Sequence, residues 1–336
     1  MAATLLRRLA AALTMLALVA SVLVATTATP AAADPEGGTK TLRAALESAA
    51  KGYATGKNKL AASKKRQTQL QATLKRSRAD AEALQGRVAE VAARSYQYGR
   101  YNTMNLLLNS TSPDVFLERA ARLDMMAQND AHTLADYRTA VDTAEAAKTA
   151  IDAEVKEQEK QLRVLARKKK EAELALASVG GGAVSGGFLS ANSPLAKPAP
   201  RNSDGSWPRE SCTVDDPTTG GCITPRLLNA YQQARAHNFT HYTSCFSERA
   251  SGEHPKGRAC DFSSNATTFK NAAATGSDKA YGDRLAAFFV KNADRLGVMY
   301  VIWYRQIWMP STGWRAYSAS GGPAAVHTNH VHLSEL

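Results

Sequence analysis

Apolar and small residues recur every seven positions through the middle of the chain. With Leu60 as an a position, the a series reads Leu60, Gln67, Leu74, Ala81 and Val88, and the d series reads Ser63, Leu70, Ser77, Leu84, Val91 and Tyr98. A second stretch repeats the period. One of its series is Tyr137, Ala144, Ile151, Gln158, Leu165 and Ala172; the other is Leu134, Val141, Lys148, Val155, Leu162, Lys169 and Leu176. Such spacing, held over several heptads, predicts a coiled coil. The pattern breaks at Gly99 and again at Ser110–Asp114, where Ser112 or Asp114 can cap the restarting helix and Pro113 fixes its entry. Each arm is about 60 residues, roughly 90 Å if helical, so the short break predicts an antiparallel hairpin over 39–178. Charge agrees: residues 34–100 are net +8 and residues 101–178 net −2, so the arms attract and two copies of the first would repel.

Periodicity changes beyond the rod. Residues 179–206 turn to Gly, Ser, Pro, Ala and Asn, which predicts a flexible linker. "PRLLNAYQQARAH" from Pro225 and "YGDRLAAFFVKNADRL" from Tyr281 carry helical amphipathicity. "VMYVIWYRQIWMPSTGWRAY" alternates around Ile302, Tyr304, Gln306 and Trp308, which predicts one strand, a Pro-Ser-Thr-Gly turn, and a second strand carrying Trp314. Residues 207–336 therefore read as an α+β domain, with helices on a small antiparallel sheet, behind an all-α hairpin.

Composition sharpens the division. All four Trp, all four Cys and six of the seven His lie beyond residue 200, so the rod has no aromatic core of its own. At the start, Arg7 and Arg8 precede an apolar run from Leu9 to Ala25, which closes on Ala31-Ala32-Ala33. This is the pattern of a secretory signal peptide over residues 1–33, with a membrane anchor as the rival reading. A secreted or extracytoplasmic chain makes two disulfides the default for Cys212, Cys222, Cys245 and Cys260. Connectivity does not follow from sequence, although nearest-neighbour pairing would staple two short loops. The chain is basic, at net +12. Export and the lack of a binding motif argue against nucleic acid, while positive charge suits acidic wall polymers. The Arg167–Lys170 run reads first as a solvated helix end.

Candidate chemistry sits in two segments. "SGEHPKGRACDF" places His254 and Asp261 seven apart, and "HTNHVHLSEL" supplies His327, His330 and His332. On a strand His330 and His332 share a face. One His and one Asp from a loop, with one His from a strand, are the N/O donors of an open catalytic metal site, and two further imidazoles remain for proton transfer. His237, His241 and His132 read as packing or surface residues.

The H-x-x-G-x-A-x-D motif (His254, Gly257, Ala259, Asp261) followed by H-x-x-H-x-H resembles the zinc peptidases that include D-Ala-D-Ala carboxypeptidases, penicillin-insensitive murein endopeptidases and lysostaphin-type enzymes. That resemblance implies Zn2+ bound by His254, Asp261 and His332. It makes His330 the general base or oxyanion stabiliser, with His327 supporting it. Arg249, ahead of the motif, is a candidate for a substrate carboxylate or an oxyanion. Gly252 stands where the family has Ser, and the Glu-x-Trp-His pattern of the dipeptidase branch is missing, which shifts proton transfer to His330. The stretch from Ala93 to Met126 resembles coiled-coil segments of secreted bacterial cell-wall hydrolases, which implies peptidoglycan as substrate and a membrane division-complex partner for the rod. The apolar patch Met104–Leu108 with Val115–Leu117 is either a helical cap or a contact surface. A non-catalytic activator or wall-binding scaffold is the alternative class.

Overall fold

The computed structural model describes residues 38–336, so the signal-peptide reading of residues 1–33 lies outside them. Helix α1 (Lys40–Leu108) starts at Thr39, whose hydroxyl accepts the Leu42 N–H at 3.1 Å. It is interrupted at Gly99, whose φ of +38° is open to a residue without Cβ. Helix α2 (Pro113–Ala177) is capped by Ser112, which accepts the Val115 N–H at 3.3 Å, with Pro113 in the first turn. Between them Arg119 folds back to donate to the Leu106 carbonyl at 2.8 Å, tying off the end of α1. Ser63 meets Glu154 while Arg94 meets Asp130, so partners advance on one arm as they retreat on the other. The pair is an antiparallel, coiled-coil-like hairpin.

On α1 every a and d residue from Leu60 to Val91 is buried or half-buried. On α2 the series through Tyr137, Ala144, Ile151, Gln158, Leu165 and Ala172 also faces the seam. Its companion is different from the expected one. Ala140, Ala147, Glu154, Gln161 and Lys168 turn inward, whereas Val155 and Leu162 are 39% and 55% exposed. The small side chains at 140 and 147 let the arms approach. Glu154 is tolerated there because Ser63 and both nitrogens of a fork from Arg66 satisfy it.

The C-terminal region is α+β. A two-stranded ribbon, β1 (Val214–Asp215) with β2 (Cys222–Ile223), leads into α3 (Pro225–Ala236). A six-stranded antiparallel sheet follows from β3 (Thr243–Ser244), β4 (Ala259–Ser263), β5 (Val298–Trp303), β6 (Gln306–Met309), β7 (Gly313–Ala316) and β8 (His330–Glu335), in the order β3-β4-β8-β5-β6-β7. Helix α4 (Gly276–Lys291) and the short α5 (Ala293–Leu296) precede β5. The single strand expected before Pro310 is a hairpin, β5–β6. Tyr304 and Arg305 form its two-residue turn with φ of 51° and 62°, a conformation usually announced by Asn or Gly.

Strand β5 is buried along its whole length because the sheet is covered on both sides. On one face Val301, Trp303, Val331 and Leu333 pack with Leu227 of α3 and Leu285, Phe288 and Phe289 of α4. On the other, Tyr300, Ile302, Ile307 and Met309 meet Leu42, Leu46 and Ala49 of α1 and Ala172 and Leu176 of α2. The base of the rod is thus the third layer of the domain.

Segment 179–206 is a strap pinned to the domain, not a free linker. Ala183 bridges to Arg315 at the β7 edge. Phe188 sets its ring edge-on to Trp303 and Trp314. The buried Asn292 side chain accepts the Ala196 N–H at 2.8 Å and donates to the Pro194 carbonyl at 2.9 Å. Gly/Pro composition signals an irregular backbone, and here side-chain anchors order it.

Candidate metal centre

Strands β4 and β8 pair with Asp261 opposite His332, and His332 lies opposite Ile302 of β5. Cross-strand neighbours share a face, so the histidines project on the side where the rod is seated. Asp261 comes from a strand, where a loop was expected, because its segment is the inner neighbour of β8. His254 opens a 3-10 turn (His254–Lys256) closed by Gly257 at φ +65°. A Cβ at Gly257 would fall 2.8 Å from the Ile223 backbone, which accounts for the glycine of the motif.

His254, Asp261 and His332 bring their ligating atoms within 4.8 Å of one another, all buried. Asp261 Oδ1 lies 3.2 Å from His254 Nε2 and 2.8 Å from His332 Nδ1. The remaining ring nitrogens are taken by the protein. His254 Nδ1–H donates to the Cys245 carbonyl, and His332 Nε2–H donates to Ser334 Oγ at 2.8 Å. This assignment turns one lone pair of each imidazole toward Asp261, as a metal ligand requires. The group could hold a metal ion, and its donor set of two imidazoles and one carboxylate suits an N/O-binding divalent cation.

His330 Nε2 stands 3.4 Å from the same Asp261 oxygen but outside the three-ligand group. Its Nδ1–H donates to Asn329 Oδ1 at 2.7 Å, and Asn329 is held by donating to the Lys270 carbonyl. Burial lowers the His330 pKa to about 4, against the pull of Asp261. His327, at φ +52°, is fully buried 4.8 Å from the His330 ring, and neither of its nitrogens has a hydrogen-bond partner among the described residues. Burial and the neighbouring His330 and His332 hold it well below the usual imidazole range. With no cation between them, the same imidazole nitrogens can instead carry protons toward Asp261: burial works to raise its pKa, but charge on His254 and His330 and hydrogen bonds from His254 and His332 in that protonated form keep it well below the usual carboxylate range. Arg249 Nη2 sits 3.5 Å from Asp261 Oδ2. His241 stacks on Tyr281 and His237 leans on Phe288, both away from this group.

Sequence reasoning missed Ser334, Asn329 and Tyr300, whose ring stacks on His332 at 14°. Ser334 was readable, since it continues the i, i+2 alternation of His330 and His332 along β8.

Both disulfides follow nearest-neighbour pairing, Cys212–Cys222 and Cys245–Cys260, and point to an oxidising environment. No helix among the described residues is long and apolar enough to cross a membrane. The fold and site define a two-part α+β protein with a candidate metal centre beside its rod. The family model for the VldE C-terminal domain matches residues 219–328, a span that holds His254 and Asp261 and ends before His330. No curated protein and no solved structure matches the chain.

Proposed function

We propose that the protein is a secreted zinc-dependent hydrolase that cleaves a peptide bond in the stem peptide or cross-link of peptidoglycan. One observation carries the reading: three ligand atoms converge, and each imidazole among them has its other nitrogen held by a protein acceptor. Zinc, when bound, supplies the charge that polarises a scissile carbonyl and makes water acidic near neutral pH. The chain's own groups do the rest. His330 stays unprotonated at Nε2, because burial depresses its pKa and Asn329 holds Nδ1–H, so it can accept a proton. His327 backs it from the buried side. Arg249 stands at the outer oxygen of Asp261, where it can meet a substrate carboxylate or a developing oxyanion.

The choice of a wall substrate rests on the motif resemblance together with the rod, the paired cysteines and the basic charge. The rod tip favours a second role in recruitment, because Met104, Leu108, Leu117 and Met125 stand exposed there with no packing cap among the described residues. Metal content separates an enzyme from a non-catalytic activator. One zinc per chain, lost in His254→Ala, followed by cleavage of muropeptides, is the expected result. A folded protein without zinc would refute the hydrolase.

A further inference from the structure

A cavity of about 710 Å3 lies at the joint between rod and domain, away from the histidines. One wall is α1, with Lys51, Lys59 and Arg66; the other holds Arg209, Arg226 and Arg258. Against these six cations the lining has three carboxylates, Glu157, Asp204 and Glu210. Local pairing offsets the inner cations, because Glu154, Glu47 and Glu253 add three carboxylates just outside the lining, and it leaves the two exposed ones. Arg66 is engaged by Glu154, Arg226 by Glu210, and Lys51 and Arg258 share Glu47. Lys59 and Arg209 are exposed and have no ion-pair partner among the described residues. Deeper in, the side chains of Arg226 and Arg258 are 2% and 10% exposed. Each leaves its Nε–H sealed from solvent with no acceptor among the described residues.

A second cavity of about 260 Å3 continues the first, sharing Ala54, Asn58, Trp207 and Leu336, and adds Tyr53 and Trp308. Tyr53 and Trp308 are half-buried beside a trench whose other end carries the exposed cations, while Trp207, also half-buried, has the Arg201 guanidinium 3.7 Å over its ring. Such a space is larger than an inorganic ion needs and falls in the range of built ligand sites.

We propose that this trench binds a segment of an anionic glycan, with its acidic groups against the exposed Lys59 and Arg209 and its sugar rings against the aromatic end. Rod and domain each supply a wall, so the ligand bridges them. Arg258 also joins this trench to the metal-centre loop, since it pairs with both Glu47 of α1 and Glu253 beside His254. The proposal stands whether or not the histidines hold a metal, and its test reads binding alone.

The test titrates the whole chain with three soluble probes, following tryptophan fluorescence and calorimetric heat. They are a glycerol-phosphate oligomer, a galacturonate oligomer of matched charge, and a neutral glucan oligomer. At least one anionic probe binds and the neutral one does not; which anion binds identifies phosphodiester or carboxylate as the recognised group. The double variant Lys59→Glu/Arg209→Glu changes two exposed side chains and weakens binding by about tenfold or more. The control Lys148→Glu/Lys170→Glu, with equal charge change on the exposed side of α2, stays within about twofold. Absence of binding by both anions, equal binding of the neutral glucan, or equal loss in the two double variants would each overturn the proposal.

Discussion

Ser334→Ala isolates the hydrogen bond that orients a metal ligand. Ser334 is fully buried on β8, and its Oγ lies 2.8 Å from His332 Nε2. Removing the hydroxyl leaves a buried N–H without an acceptor, a penalty of about 1–3 kcal/mol. The imidazole escapes this by moving its proton to Nδ1, the atom 2.8 Å from Asp261 Oδ1. In that tautomer Nδ1 has no lone pair for a cation. Loss of such an orienting partner lowers metal affinity by roughly 10–100-fold, equivalent to about 1.4–2.8 kcal/mol. Chelator competition with zinc and cobalt measures the affinity, and thermal unfolding of the metal-free variant checks that the sheet survives. Ser334→Thr keeps the hydroxyl on a residue suited to strands and restores most of the affinity. Unchanged affinity in Ser334→Ala, alongside loss of metal in His332→Ala, would show that the Ser334 hydroxyl does not set the His332 tautomer and would refute the reasoning.

Other outcomes test other layers. Glu335 is fully buried with neither carboxyl oxygen hydrogen-bonded among the described residues, and burial raises its pKa well above the ordinary 4.5 despite Arg226. A carboxyl held protonated in the fold but ionised when unfolded costs stability as pH rises above 4.5. Glu335→Gln therefore gains about 1.4 kcal/mol per pH unit from that value up to the raised pKa of the folded state, a constant amount beyond it, and nothing below 4.5. Urea titrations at several pH values would show a flat difference if the reasoning fails. Cys245→Ser/Cys260→Ser opens a 15-residue loop and lowers unfolding free energy by about 3 kcal/mol. Metal affinity falls with it, since Cys245 supplies the acceptor for His254. In the rod, Ala147→Leu overpacks the seam at a cost of about 1–3 kcal/mol, whereas Leu162→Gln on the open face stays within about 0.5 kcal/mol. The reverse order would restore the heptad frame that runs through Leu162.

Much of the architecture was legible because its cause is local. Leu60, Leu74, Leu84 and Val91 contrast with charged neighbours, so the first arm's seam could be read residue by residue. The second arm is Ala-rich on several sides, and apolar residues at Val155 and Leu162 outweighed the small Ala140 and Ala147 in the pattern. Which stripe turns inward there depends on how closely the partner helix can approach. The Tyr304-Arg305 turn escaped for a related reason, since neither residue advertises a left-handed backbone and the two strands' pairing imposes it.

The sequence by itself determined the seven-residue periodicity, the break at Ser112-Pro113, the even cysteine count, and the ligand-type residues at His254, Asp261, His330 and His332. Each follows from short-range stereochemistry or from the donor atoms a side chain carries. Only the tertiary structure decided what stands beside what. It turned the Gly/Pro-rich strap into an ordered edge through Phe188 and Asn292. It seated Leu42, Leu46 and Leu176 on the sheet face that also carries Asp261 and His332. It joined Glu47 to Arg258 across more than two hundred residues of chain. Contacts of that separation arise when whole faces are buried together, and residue order along the chain carries no record of which faces meet.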